Sequence, residues 1–227
     1  MHYADYKTML SPGNGMNVYR GCTHGRICCD SRSSRYRTGR GFEDVEVKRG
    51  AAPIPDGQLR RKRRPCMIGT GSMCDPHIPL EEGLMATRGC LEAIERRGFG
   101  LSILTKSDLV LRDPDLLKSI NAKAKCVAQT TLTTFDDGLC RKLEPNAPAT
   151  SDRVRALEAL RDAGVPTVAW LCPILPFIND TEENLRGLLG YCARRGSGGR
   201  CGSGRARRCA TAAGNASTRA RTASSRG

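Results

Sequence analysis

Aromatic residues are scarce in this sequence, and long hydrophobic runs are missing from it. Aromatic side chains account for 4% of the 227 residues, although hydrophobic residues reach 39%, which is enough for a core. No apolar run approaches the roughly 18–20 residues that a membrane-spanning helix needs, so we expect no membrane partner. The first residues show no apolar stretch of the signal-peptide kind. We therefore expect a cytoplasmic protein whose 12 cysteines are reduced.

Acidic and large apolar residues are both absent from residues 195–227. This segment contains eight arginines and carries +8 of the net charge of +14. It cannot bury enough apolar area to offset the entropy of ordering, so we expect a disordered basic tail after a core domain spanning 1–194. Its composition is typical of a GC-rich gene translated out of frame. We hypothesise a frameshift near residue 194, an idea that fails if neither alternative reading frame encodes an apolar, strand-like segment there.

A cysteine-rich loop, residues 21–30, is the most distinctive feature of the remaining sequence. It follows a strand-like run over Met16–Arg20 and contains Cys22, Cys28 and Cys29. A loop bounded by glycine at a strand end can wrap a metal or an inorganic cluster. Arg26 lies in the middle of the cysteine spacing, and arginine does not lose its proton in proteins or ligate iron.

Strand and helix patterns alternate five times along the chain, most clearly after residue 65. The alternation predicts an α/β fold with a parallel sheet. Ser151 is the expected N-cap of the helix that ends at Gly164. The predicted strands cover 66–71, 101–105, 126–132 and 166–171, and the predicted helices cover 81–97, 113–120, 151–163 and 181–194.

The carboxyl ends of the predicted strands should form one rim of the fold, where ligands gather in parallel α/β proteins. His24 and His77 also fall on this rim, and a hydrogen-bonded structural role is favoured for both over a role in proton transfer. The segments expected to meet there are 22–29, 69–72, 105–107, 131–134 and 172–173.

Several motifs, in their order and spacing, resemble the radical SAM superfamily, in particular the branch of spore photoproduct lyase and its DNA repair photolyase-like relatives. The resemblance runs from about Tyr3 to Arg194 and is weak across 33–64. The motifs that carry it are Tyr19–Gly25, Cys29–Arg32, Gly69–Glu81, Thr105–Ser107, Arg112–Asp113, Leu143–Pro148 and Pro173–Asp180.

The resemblance implies a partial (β/α)6 TIM-like barrel, here lacking its sixth strand, which would lie where the basic tail begins. It implies a [4Fe-4S] cluster on a Cys-x3-Cys-x2-Cys loop, with S-adenosylmethionine at the open iron. One electron, from a donor such as a flavodoxin or ferredoxin, would then generate a 5′-deoxyadenosyl radical. The substrate stays open, and a nucleic-acid-derived substrate is one option.

The resemblance also assigns residues, although Arg26 occupies the slot of the middle cluster ligand. Cys22 matches the first ligand and Cys29 the third, and Cys28 is the remaining thiol that could swing in. The cofactor-binding candidates are Gly69, Thr70, Gly71 and Ser72 at the second strand, and Thr105 and Lys106 at the third.

A second hypothesis is a non-catalytic basic protein that binds nucleic acid through residues 60–64 and 195–227. Both segments are rich in arginine and would neutralise phosphates without reading sequence. They lack the interleaved aromatic residues that stack on single-stranded bases. Deletion from residue 195 onward separates the two hypotheses, because salt-sensitive nucleic-acid binding should vanish only under the second.

Overall fold

A computed structural model describes residues 1–33 and 41–193, and these residues form two sheets and seven α-helices. The tail predicted at 195–227 lies outside the described residues. The strands are β1 His2–Ala4, β2 Gly15–Met16, β3 Tyr19–Arg20, β4 Glu46–Lys48, β5 Met67–Thr70, β6 Gly100–Leu104, β7 Cys126–Leu132 and β8 Thr167–Leu171. The α-helices are α1 Pro53–Arg60, α2 Glu81–Leu84, α3 Ala86–Arg96, α4 Pro114–Lys123, α5 Asp137–Leu143, α6 Thr150–Asp162 and α7 Glu182–Ala193.

The larger sheet has five strands in the order β2-β5-β6-β7-β8, and every neighbouring pair is parallel. The predicted α/β class with a parallel sheet is therefore confirmed. Helices α3, α4 and α6 pack on this sheet, and their apolar faces are buried with the strands in one core. That core includes Ile68, Leu91, Ile94, Leu101, Ile103, Leu117, Ile120 and Leu160. The six-unit barrel stays a prediction, and the place expected for its sixth strand is outside the described residues.

The smaller sheet, in the order β1-β4-β3, leads the chain into the cysteine-rich loop. The continuous strand predicted over Met16–Arg20 is wrong, because the backbone changes partner within it. Met16 pairs in parallel with Thr70 in the larger sheet, whereas Tyr19 pairs antiparallel with Val47 in the smaller one. This change of sheet places the loop above the carboxyl edge of the larger sheet.

The helix predicted over 81–97 is interrupted at Met85, whose φ of 53° is left-handed. The side chain of Glu81 explains the new start, because its carboxylate accepts the backbone N–H of Thr87 at 3.0 Å and of Arg88 at 3.3 Å. A buried carboxylate thus caps α3, and Tyr19 also donates a hydrogen bond to it.

Two other helix starts differ from the prediction. Ser151 lies inside the first turn of α6, and Ala149 holds the cap position, because the Asp152 carboxylate accepts the Ala149 N–H at 3.1 Å. Helix α5 was not predicted, although Asp136 caps it by accepting the Leu139 N–H. Within the described ranges, no helix combines the length and apolarity needed to cross a membrane.

Candidate functional site

A cleft with about 530 Å³ of empty space opens at the carboxyl edge of the larger sheet. The cysteine-rich loop forms one wall of this cleft, and the ends of β5, β6 and β7 form the other. The structure therefore brings together most of the residues proposed for binding, while their roles stay predictions. The predicted residues that line the cleft are Cys22, Cys29, Gly71, Ser72, Thr105, Lys106 and Thr131.

Three proposed residues lie behind the cleft surface. Gly69 and Thr70 belong to β5, where Thr70 is buried and its hydroxyl has no hydrogen-bond partner. Cys28 lies within the loop, is half-buried and is not part of the cleft lining. Burial raises the pKa of the Cys28 thiol, and the neighbouring Arg26 cation opposes this effect.

Gly71 makes the second wall possible because its backbone lies against the end of β6. Its φ is +95°, and a Cβ at this position would lie 1.7 Å from the Leu104 carbonyl oxygen. Only glycine tolerates both the left-handed backbone and this close approach. The turn after β5 thus exposes main chain, rather than side chain, to the cleft.

The cysteine-rich loop is held in place by its backbone rather than by its thiols. The Cys22 N–H donates to the Phe42 carbonyl at 3.0 Å, and the Ile27 N–H donates to the Leu143 carbonyl at 3.0 Å. Asn146 donates from its side chain to the Thr23 carbonyl at 2.9 Å. Phe42 and the segment from Leu143 to Asn146 therefore hold the loop in place.

Arg26 is turned toward that same segment and forms an ion pair with Glu144. Its Nε lies 3.1 Å from Glu144 Oε1, although the hydrogen on Nε is not directed at a partner. Glu144 is completely buried. The residue in the middle ligand slot is thus engaged with a buried carboxylate.

Glu144 is the centre of a buried charge cluster with three cations. Lys106 Nζ and Arg153 Nη2 each lie 2.6 Å from its oxygens, in addition to Arg26. Burial alone would raise the pKa of Glu144, but the attraction of Lys106, Arg153 and Arg26 outweighs it and lowers the pKa to about 2. The cluster carries a surplus of positive charge beside the cleft.

For Lys106, burial and the neighbouring cations outweigh the attraction of Glu144. Burial, together with repulsion from Arg153 and Arg26, lowers the pKa of Lys106 to about 7 despite its bond to Glu144. The unfolded chain, whose lysines titrate near 10.5, binds one more proton than the folded protein above pH 7. The contribution of Lys106 to the free energy of unfolding should therefore rise with pH above 7.

The buried cysteines, whose pKa burial raises, act in the opposite direction, because the unfolded chain loses thiol protons that the folded protein keeps. Between pH 7 and 8.5 we therefore expect the slope of the free energy of unfolding against pH to be more positive in the unaltered chain than in Lys106→Met, by at most about 1.4 kcal/mol per pH unit. Urea titrations at several pH values measure this slope. Lys118→Met, on the exposed side of α4, should keep the slope of the unaltered chain. An identical slope in all three proteins would contradict the assignment to Lys106.

Asp75 organises the floor of the cleft through hydrogen bonds with the end of β6. Its carboxylate accepts the Thr105 hydroxyl at 2.6 Å and the Lys106 N–H at 2.8 Å. His24 Nδ1 lies 3.6 Å from the same carboxylate. Burial lowers the pKa of His24 even though Asp75 acts to raise it, so this imidazole is neutral at pH 7. His77 is also buried and contacts Asp113 at 3.2 Å, which is the structural role favoured from the sequence.

Glu144 and Arg153 were not identified as site residues from the sequence. Arg153 lies in line with Ala156 and Leu160 on α6, and all three are buried. Arg153 shares a helix face with apolar residues, and this spacing could have indicated that it is buried. A buried arginine requires an anionic partner. Nothing in the local sequence identified Glu144 as that partner.

A [4Fe-4S] cluster on this loop would need three thiolate ligands. Among the residues that the structure describes, no group of three or more His, Cys, Asp or Glu side chains is arranged to hold a metal. Cys22 is buried, which raises its pKa to about 12, and Arg26 adds a cation where a thiolate is needed. The residues present therefore do not fit a three-thiolate cluster, and the assignment of Cys22, Cys28 and Cys29 as ligands stays a prediction.

The fold of this chain is similar to that of spore photoproduct lyase, at low sequence identity. A variant of that enzyme with dinucleoside spore photoproduct superposes with a TM-score of 0.57, at 17% identity over 80% of this chain and 52% of that chain. A second variant gives 0.56, at 16% identity over 78% and 50%. The resemblance to the radical SAM superfamily is thereby confirmed at the level of the fold.

Among the sequence relatives, one has a radical SAM name and two are uncharacterised. An uncharacterised protein of Methanocaldococcus jannaschii is 34% identical over 169 residues, covering 74% of this chain and 62% of the relative. An uncharacterised protein of Mycobacterium tuberculosis is 31% identical over 192 residues, covering 81% and 56%. A radical SAM Nα-GlyT isomerase of Pseudomonas phage M6 is 27% identical over 176 residues, covering 78% and 36%. No protein-family model matches the chain. The chain spans about half to three fifths of the length of the first two relatives.

Proposed function

We propose that this chain has the framework of a radical SAM enzyme, binds S-adenosylmethionine in the strand-end cleft, and is arrested before radical formation by Arg26. The observation that carries the proposal is the ion pair between Arg26 and buried Glu144, in the slot where a thiolate is expected. The rest of the cleft is compatible with cofactor binding. In a radical SAM enzyme, the cluster and S-adenosylmethionine together supply the radical chemistry.

The cleft fits S-adenosylmethionine on three grounds. The turn at Gly71 exposes backbone groups that the methionine end could approach. Lys106, with the surplus positive charge around Glu144, suits the carboxylate of the cofactor. Thr131 lines the cleft and has a buried hydroxyl without a hydrogen-bond partner, which a polar ligand could satisfy.

The reaction partners belong to the same proposal. An electron donor of the flavodoxin or ferredoxin kind would be needed only by a form that assembles the cluster. A nucleic-acid-derived substrate is supported by the fold of spore photoproduct lyase, which has been crystallised with a dinucleoside. A cytoplasmic location and a core ending near residue 194 also remain proposals.

Calorimetric titration of the purified chain with S-adenosylmethionine tests the binding proposal. We expect Lys106→Gln to weaken binding at pH 6.5 by about tenfold or more, because a charge-assisted hydrogen bond contributes roughly 1.5–3 kcal/mol. 5′-Methylthioadenosine, which lacks the carboxylate, should bind both proteins equally. Lys118→Gln, an exposed lysine on α4, is the matched control. Equal weakening of both ligands, or no S-adenosylmethionine binding by the unaltered chain, would contradict the proposal.

A further inference from the structure

A run of five basic residues, Arg60–Arg64, begins at the last residue of α1, and two of them, Arg61 and Lys62, line a wide groove on the protein surface. The groove has about 850 Å³ of empty space and is broadly open to solvent. One wall comes from residues 8–12 and the other from the end of α1. Its polar lining is Thr8, Ser11, Gln58, Arg61 and Lys62.

The two walls of this groove are tied together by side chains. Gln58 Oε1 accepts the backbone N–H of Met9 at 2.7 Å and of Leu10 at 3.0 Å. Lys62 Nζ donates to Asn14 Oδ1 at 2.5 Å. These hydrogen bonds hold the two walls of the groove together and fix the position of the start of the basic run.

The groove lies at the opposite edge of the sheet from the cleft. Residues 8–14 directly precede β2, and residues 60–66 directly precede β5. These two strands are parallel neighbours, so the segments before them meet at the amino edge. The cleft, in contrast, is built by segments that follow the strands. A ligand in the groove would therefore not occupy the cleft.

The charge of the basic run is not neutralised by neighbouring carboxylates. Arg60, Arg61, Arg63 and Arg64 are exposed, and in the described part of the chain none of them forms an ion pair. Arg96 and Arg97, not far away on α3, both pair with Asp56. Several unpaired cations beside a groove attract an anion with repeated charges.

We propose that this groove binds the phosphate backbone of a nucleic acid, independently of the cleft. The hydroxyl groups of Thr8 and Ser11 and the amide of Gln58 are side chains that commonly accompany arginine at phosphates. A lipid surface is disfavoured, because interfacial binding needs apolar side chains that insert, and Leu10 is buried. No aromatic residue lines the groove, so binding should depend on phosphates and not on base stacking.

The test uses the full chain, so that the arginines of residues 195–227 are present in every protein compared. Fluorescence anisotropy measures the affinity for a labelled 20-nucleotide strand of mixed sequence at several KCl concentrations. The groove variant combines Arg61→Ser, Arg63→Ser and Arg64→Ser. The matched control combines Lys118→Ser, Arg141→Ser and Lys142→Ser, which removes the same charge from exposed helical positions.

We expect the groove variant to bind at least tenfold more weakly in low salt and to lose about 2 units of slope in the plot of log affinity against log salt. In the control variant, the loss of affinity and the loss of slope should each be less than half of those in the groove variant. Equal losses in the two variants would assign binding to net charge or to residues 195–227, and would overturn the proposal. Tight binding to vesicles containing anionic lipid, with no binding to the strand, would also overturn it. S-Adenosylmethionine should not compete, since it is assigned to the cleft.

Discussion

Replacing Arg26 by cysteine should raise the iron content after anaerobic reconstitution from well below one atom to about four atoms per chain. The substitution restores a Cys-x3-Cys-x2-Cys sequence with Cys22 and Cys29, and removes a cation from the loop. Backbone hydrogen bonds to Phe42 and Leu143 already hold the loop, so a new thiolate would be added to a preformed turn. Iron and acid-labile sulfide analysis, with absorption near 400 nm, measures the result.

The control for this experiment is Arg26→Ala, which breaks the ion pair with Glu144 without supplying a ligand. It should stay close to iron-free, as should the unaltered chain. Equal iron uptake by the alanine and cysteine variants would show that the slot does not ligate. Four irons on the unaltered chain would overturn the proposed arrest. If the cysteine variant takes up no iron while it still binds S-adenosylmethionine, the cluster assignment of the loop fails and the cofactor proposal survives.

The cysteine-rich loop shows how far the sequence could predict this site. Its cysteines, its glycines and its position at a strand end were sufficient to predict a site at the carboxyl edge. The ion pair of Arg26 could not be predicted, because its partner Glu144 follows α5, a helix that the alternation pattern did not reveal. Local patterns were sufficient to predict which segments meet at this edge, whereas pairing across the fold depends on tertiary packing.

The strands also show that local patterns do not reveal which segments pair with each other. The prediction for β7, Cys126–Leu132, agrees with the structure at both ends, because the strand is rich in β-branched and apolar residues although it contains Gln129. The run Met16–Arg20 also reads as one strand, yet it divides between two sheets. Its side chains cannot reveal the division, since both halves are largely buried. The change lies in the hydrogen-bonding partners of the backbone.

Glu144→Gln should destabilise the folded protein by about 3–5 kcal/mol, a large part of the stability of a domain this size. The substitution keeps the shape of the side chain but leaves Lys106, Arg153 and Arg26 without their common anion. Lys106 can release its proton, since its pKa is already lowered to about 7, but the two arginines cannot. Urea unfolding at pH 7 measures the loss. Glu182→Gln, in an exposed pair with Arg186, should cost less than about 1 kcal/mol.

The pH dependence of this loss identifies its electrostatic origin. The folded-state pKa of Glu144 is about 2, below its ordinary value of 4.5. Its contribution to stability is therefore present above pH 4.5 and disappears as the pH falls toward 2. The unaltered chain and Glu144→Gln should thus converge in stability between pH 4.5 and pH 2, provided that both remain folded at the start of this range. A difference that stays constant down to pH 3 would mean that the glutamine disturbs packing, and that the buried cations do not depend on the charge of Glu144.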